Sequence, residues 1–426
     1  MFGSTDRRHF MKHLAGSAAL AAPGLSFLTG LRACAADLKK KNKSLIVLWM
    51  SGGPATIDIW DLKPGTATGG ESKTMKTAVS GIEISDLMPN TAKQMKNLSI
   101  IRSLKTSEGD HDRGTFLLNT GRKKDALIEY PSIGSVMSFY QAMDLEAMKH
   151  ADIPSFISVG GGRVGPGFLG MKYASFNVGN PGQPPENVNP PVSQMQMDRR
   201  KVLFDNLESG FQTKVPADAA KAHKDVYDKA LNLVTSNRKK VFDLADEPTA
   251  LKDEYGTGNF GKGCMLARKL VEAGVAAVEV NLGGWDMHQN IFTAMKTRQP
   301  ELDKGMAALT RDLADRGKLK DTVIVWMGDF GRTPKINQNA GRDHWPRCWS
   351  VVVGGGNIKG GIAYGSTNSD GTDIATNPVD VLNLYATIYK GLGIDPTPQQ
   401  VADVRDNLGR PYYIAGDKPK WITELV

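Results

Sequence analysis

Cysteine is scarce in this sequence: three residues in 426, with Cys34 near the N-terminus and Cys264 and Cys348 far apart. That excludes a disulfide scaffold and a compact thiolate zinc site; the last two cysteines either pair or stay as buried thiols. Past the N-terminus no apolar run approaches the roughly 20 residues that span a bilayer, so no transmembrane segment is expected in the mature chain. Basic runs of six or more are also missing, which removes the usual footprint of a nucleic-acid binder. Internal repeats, heptad tracts and low-complexity segments are absent too. The remaining composition, 40% hydrophobic and 23% charged, is that of an ordinary globular protein.

The formal net charge is +8, but residues 1–35 supply Arg7, Arg8, Lys12 and Arg32 against Asp6, which leaves a mild +5 on the rest. This segment reads as an export signal. A charged start, Asp6-Arg7-Arg8-His9-Phe10-Met11-Lys12, precedes the uncharged stretch Leu14 to Gly30, and Ala33-Cys34-Ala35 offers small residues for cleavage. The paired arginines followed by Phe-Met-Lys resemble a twin-arginine signal, which places the expected destination in the periplasm or cell exterior. Leu31-Arg32-Ala33-Cys34 fits a lipoprotein box poorly because of its arginine.

Residues 36–426 read as a single domain. Short apolar runs bounded by loop residues predict strands at Ser44–Met50, Leu98–Leu104, Ser155–Val159, Ala276–Leu282, Thr322–Met327 and Trp349–Val353. Helical spacing predicts a helix through Thr115–Leu118 ending at Gly121, and further helices at Pro131–Met143, Lys262–Ala273, Ile291–Arg316 and Val379–Leu392. Strands alternating with helices give an α/β sandwich with a central, mostly parallel sheet flanked by helices. Gly160–Pro191 is a Gly-, Pro- and Asn-rich excursion. Phe211–Tyr255 lacks glycine and predicts solvated helices, so about 160–255 forms a loop and helical insertion.

In such sheets ligands gather at the carboxyl ends of strands, and acidic and imidazole side chains cluster there. Asp286 and His288 follow one predicted strand, Asp329 follows another, and Asp343 and His344 precede a third. His111 lies between Asp110 and Asp112. Mixed carboxylate and imidazole donors suit a divalent ion, so Asp286, His288, Asp329, Asp343 and His344 are the candidate metal ligands. An Asp-His neighbour pair also serves commonly as a plain surface hydrogen bond, and His150 and His223 sit in polar helical surroundings. Arg113, Arg122, Arg332 and Arg342 accompany the clusters. Guanidinium groups hold sulfate, phosphate or carboxylate in bidentate fashion, so these four are candidate anion clamps, or else partners of the aspartates. Gly354-Gly355-Gly356-Asn357 has neither P-loop nor dinucleotide spacing and reads as a turn.

Several motifs stand out together: Gly52-Gly53-Pro54 with Asp58 and Asp61-Leu62-Lys63-Pro64, Thr120-Gly121-Arg122, Gly283-Gly284-Trp285-Asp286-Met287-His288, Gly328–Pro334, Gly341–Pro346 and Leu392-Gly393-Ile394-Asp395-Pro396. As a set they resemble the bacterial DUF1501 proteins, abundant in planctomycetes and related to the alkaline phosphatase and sulfatase superfamily. The resemblance implies a sulfatase-like fold and a divalent metal, whether zinc, manganese, calcium or magnesium. It also implies hydrolysis of a sulfate or phosphate ester, with an anionic small molecule or glycan ester as partner. Ten residues before the glycine of its Leu-Thr-Gly-Arg-like motif a sulfatase carries its nucleophile; here that count lands on His111. The imidazole can serve there as nucleophile, general base or metal ligand, and His111 is the candidate catalytic residue. Ser51-Gly52-Gly53 replaces the superfamily's paired first-strand aspartates. These departures leave a second expectation, a catalytically degenerate protein on the same fold that binds an anionic glycan.

Overall fold

The computed structural model describes residues 43–426 apart from 144–151, 163, 184, 186–187, 191, 213–214 and 399–403. The export-signal reading and His150 lie outside the described residues.

One eight-stranded sheet forms the centre. In chain order its strands are β1 (Ser44–Met50), β2 (Leu98–Leu104), β3 (Phe156–Val159), β4 (Phe176–Val178), β5 (Ala277–Leu282), β6 (Thr322–Gly328), β7 (Trp349–Gly355) and β8 (Ala363–Tyr364). They lie in the order β8-β2-β7-β6-β1-β5-β3-β4. Every strand runs the same way except β7, which pairs antiparallel with both β2 and β6. The mostly parallel α/β sandwich expected from the alternation is therefore the observed architecture.

β1 is buried along its whole length, as its unbroken apolar run requires of a central parallel strand. Its alternate residues feed two cores. Ile46, Leu48 and Met50 join the core beneath α5 (Asn259–Glu272) and α6 (Ile291–Asp315). Leu45, Val47 and Trp49 join the other, beneath α1 (His111–Thr120), α2 (Ile133–Ala142) and α7 (Val381–Gly391). Each such aliphatic side chain contributes about 1.5–3 kcal/mol on burial. Cys264 and Cys348 are buried free thiols.

Between β4 and α5 the chain forms two long helices, α3 (Gln194–Gln212) and α4 (Ala217–Thr235), followed by the short helix Thr249–Tyr255. The sequence reading begins its helical insertion only at residue 211, so α3 is an addition. Its Met195, Val202, Leu203 and Leu207 are exposed, so no apolar stripe facing a core marks it out. Among the described residues no helix is long and apolar enough to cross a membrane.

The register fixes where chemistry can sit. Met50 pairs with Leu282 on one side and with Gly328 on the other, so β1, β5 and β6 end flush. The loops after all three emerge at one edge. β7 runs the opposite way, so the residues before it arrive at the same edge.

Candidate metal centre

The loop after β5 buries Trp285 and Met287, which turns the alternate residues Asp286 and His288 outward. The segment before β7 does the same with a buried Arg342, leaving Asp343 and His344 toward the edge. His344 is held opposite Arg332 in a short antiparallel ribbon of Gly331–Arg332 with His344–Trp345. His111 opens α1, whose N-cap Asp110 accepts from the Arg113 N–H at 3.1 Å and whose C-cap Gly121 is left-handed. Close backbone approach makes this assembly possible. Gly52, at φ +105°, has no room for a Cβ, which would lie 2.6 Å from the Asp286 nitrogen. A Cβ on Gly341 would lie 2.0 Å from the His288 carbonyl carbon.

Four side chains from three distant segments meet there. Asp286 Oδ1, His288 Nε2 and His344 Nε2 form a triangle with sides of 3.0, 3.1 and 3.4 Å. His111 Nε2 stands 3.3 Å from the same Asp286 oxygen, and donor atoms of His111, Asp286 and His344 all lie within 4.8 Å of one another. Behind the rings each Nδ1 faces an acceptor: Asp329 Oδ2 at 2.6 Å for His111, Asp343 Oδ1 at 2.9 Å for His288, and the Gly109 carbonyl at 2.7 Å for His344. Those acceptors keep the proton on Nδ1 and leave each Nε2 as a lone pair directed inward. The Phe330 ring lies against His111 and His344, with centroids 4.9 and 4.5 Å away, and limits their rotation.

The donors fit a divalent ion. Bonds of about 2.0–2.1 Å in tetrahedral geometry space neighbouring ligands about 3.3–3.4 Å apart, close to the sides of the triangle. His111 Nε2 is buried and makes no hydrogen bond, and neither does Asp329 Oδ1. Partial burial opposes the charge on Asp286, yet hydrogen bonding and charge from Arg332, with His111 and His288 nearby, hold its carboxyl down at about 2. Burial, with the charge of Arg332, lowers the proton affinity of His344. Asp286 is thus charged and His344 unprotonated at neutral pH, the form in which each accepts a cation.

The structure separates the expected ligands and clamps by position. Asp286, His288 and His344 converge, but Asp329 and Asp343 stand behind imidazoles and orient them. His111 stands beside the converging residues, its Nε2 facing the same Asp286 oxygen. Arg113 is exposed and paired with Glu108 at 3.0 Å. Arg122 donates to the Tyr413 carbonyl at 2.6 Å and lies over the Tyr412 ring.

The two buried arginines are saturated, each N–H facing an acceptor. Arg332 Nε donates to the Gly53 carbonyl at 2.8 Å; Nη1 donates to the Arg342 carbonyl at 3.0 Å and meets His288 Nε2 at 3.2 Å; Nη2 serves the Gly52 carbonyl and Asp286. Arg342 grips Asp58 with Nε at 2.7 Å and Nη2 at 2.9 Å, and its other N–H groups serve the carbonyls of Thr68, Thr333 and Pro334. Arg342 has no donor left for an anion, and Arg332 has none while His288 Nε2 accepts from it. Sequence proximity to the aspartates could not reveal this, because six of the ten acceptors are backbone carbonyls, three of them from loops far away in sequence.

A cleft of about 930 Å³ opens beside the centre, with His111, Asp286 and Asp329 at one end and Phe116, Lys124 and Tyr130 among its other lining residues. A family model described as "Protein of unknown function (DUF1501)" matches residues 42–426. The chain belongs to the DUF1501 family. No curated protein matches this DUF1501 chain. Among solved structures it is similar to Ps i-CgsB in complex with k-i-k-neocarrahexaose, at 13% identity and TM-score 0.41 over 84% of this chain and 73% of that one. It is similar also to the PsFucS1 sulfatase from Pseudoalteromonas sp., at 13% identity and TM-score 0.37 over 90% and 76%. Alkaline phosphatase from the Antarctic bacterium TAB5 matches at 13% identity and TM-score 0.34 over 82% and 98%.

Proposed function

We propose that this DUF1501 protein is an exported, metal-dependent hydrolase of a sulfate or phosphate ester. One observation carries the reading: the Nε2 atoms of His111, His288 and His344 surround Asp286 Oδ1, each ring anchored through Nδ1. Asp286, His288 and His344 would hold the ion. Imidazole donors favour zinc or manganese over magnesium or calcium. When bound, a divalent ion supplies Lewis acidity toward an ester oxygen. The ester class follows the superfamily that the sequence motifs resemble.

The remaining roles belong to the chain itself. His111 lines the cleft, and its Nδ1–H bond to Asp329 leaves Nε2 as the atom that takes or returns a proton. Asp329 keeps the ring in that tautomer and stabilises it once protonated. Arg332 braces Asp286 in its charged form. The cleft orients the rest of the ester.

An imidazole in the nucleophile slot and Ser51-Gly52-Gly53 at the end of β1 favour a second reading, an anionic-glycan-binding protein without turnover. Assay of the metal-loaded protein on aryl sulfates and on phosphate mono- and diesters separates the two. The hydrolase reading expects turnover that ends with chelation and falls about 10²–10⁴-fold in His111→Gln. Saturable binding with no turnover across the panel contradicts it and supports the binding protein.

A further inference from the structure

We infer that the alcohol part of the ester is a ring with an apolar face, a sugar or an aryl group, seated on Tyr130. This deepens the hydrolase reading and rests on it for the ester group.

The lining of the cleft divides in two. His111, Asp286 and Asp329 with several glycines form the metal end, while Phe116, Tyr130, Val164, Pro166, Met171 and Ala222 supply an apolar wall. Asp112, Lys124 and Glu129 add exposed charge, and the Lys124 ammonium lies 5.9 Å over the Phe116 ring. At about 930 Å³ the cleft has the size of sites that enclose a drug-sized ligand, about 300–1,000 Å³. A small alkyl ester would leave the wall wet, whereas a ligand with an apolar face releases that water.

The wall is held in place from several sides. Tyr130 is half-buried and meets Phe168 edge to face, with centroids 6.4 Å apart, and Tyr412 at a tilt, 6.1 Å away. Phe168 and Tyr412 meet at 5.0 Å. Arg122 donates to the Tyr413 carbonyl at 2.6 Å and lies 5.7 Å from the Tyr412 ring centre, which fixes the C-terminal segment against Tyr130. The glycine-rich excursion is tied to the same place, since the Phe168 N–H donates to the Glu129 carbonyl at 2.8 Å and the Ser132 N–H to the Gly165 carbonyl at 3.1 Å. Gly167, at φ +50°, approaches so closely that a Cβ would lie 2.1 Å from the Glu129 carbonyl oxygen. Lys229 of α4 donates to the carbonyls of Met171 and Ala174 and holds the far part of the loop. An aromatic side chain fixed in this way gives up little freedom when a ligand stacks on it, and stacking adds to the area buried. Tyr130 thus selects the alcohol part and takes no part in proton transfer.

Titration calorimetry on the whole protein tests this with ethyl sulfate, phenyl sulfate and methyl glucoside 6-sulfate, and with the three corresponding phosphates. Turnover of each is read alongside. In the series that binds more tightly, at least one ringed ester is expected to exceed the ethyl ester about tenfold or more in affinity. Whether phenyl or glucoside is the tighter assigns the ring to an aryl group or a sugar. Tyr130→Phe should keep the preference, and Tyr130→Leu, which keeps apolar bulk without a ring, should narrow it about threefold or more. Native protein that binds ringed and ethyl esters alike or binds none of the six, or a Tyr130→Leu variant with the full preference, overturns this inference; turnover of any of the six leaves the hydrolase reading standing in that case. Ring-preferring binding with no turnover supports the ring site and counts against the hydrolase reading instead.

Discussion

His288 and His344 point Nε2 at Nε2 across 3.1 Å, while the Nδ1 of each is engaged by Asp343 and by the Gly109 carbonyl. Two lone pairs at that distance repel unless a cation or a shared proton lies between them. A shared proton is disfavoured because burial and the neighbouring Arg332 charge lower the proton affinity of His344. The pair accepts a cation, a part the Arg332 guanidinium takes at 3.2 Å from His288 Nε2, and the following outcomes are expected of the protein if a divalent ion is held there.

Asp329 acts through His111. Asp329→Asn is expected to retain metal and fold while turnover drops about 10²–10⁴-fold, because an amide can hold the imidazole in the wrong tautomer. The pH profile of kcat should lose the limb that reports His111. Unchanged kcat with an unchanged profile would remove the dyad from the account.

Asp58 and Arg342 are both fully buried and form a pair that the centre leans on but does not use chemically. Asp58→Asn should cost about 3–5 kcal/mol in urea unfolding, since it strands a buried guanidinium. Metal content per folded chain should not change.

Gly52 holds the loop after β1 against the loop after β5. Gly52→Ala introduces a Cβ at a left-handed φ and into the Asp286 backbone, so the loops must part. Metal affinity should fall about 10–100-fold, the range seen when supporting residues of a metal site are disturbed. Competition with a metal-sensitive chelating dye would measure it.

Lys229 offers a pH test away from the centre. Burial, with Lys172 nearby, lowers its ammonium to about 8, while it donates to the carbonyls of Met171 and Ala174. A lowered lysine disfavours the charged folded form, so its contribution to stability grows as pH rises from about 8 toward 10.5 and is lost as pH falls back through 8. NMR of reductively methylated protein should show one lysine titrating near 8, absent in Lys229→Met. A Lys229 resonance that titrates near 10.5 would contradict this.

Much of the scaffold is readable from the sequence, because fully buried parallel strands are written as unbroken apolar runs such as Ser44–Met50 and Thr322–Gly328. Two of the three Asp/His clusters, those of Asp286 and Asp343, stand out in the sequence because they lie in glycine-containing loops beside predicted strands, although such a pair serves equally as a surface hydrogen bond. What spacing cannot convey is which atom faces which. Asp329 and Asp343 stand among the ligand candidates by position, yet one oxygen of each serves an Nδ1 atom, and only the folded loops decide that. The arginines mislead in the same way, since half of the carbonyls that saturate Arg332 and Arg342, those of Gly52, Gly53 and Thr68, come from segments hundreds of residues away. α3 is hidden because its apolar residues face outward and mark no core-facing stripe.

Elemental analysis of the folded, purified protein, beside its His288→Ala, His344→Ala double variant, addresses the metal centre most directly. The account predicts about one divalent ion per chain in the native protein and its loss from the double variant. Native protein that folds without metal, its imidazoles and Asp286 served by the Arg332 guanidinium alone, or a double variant that keeps its full metal content, would contradict it.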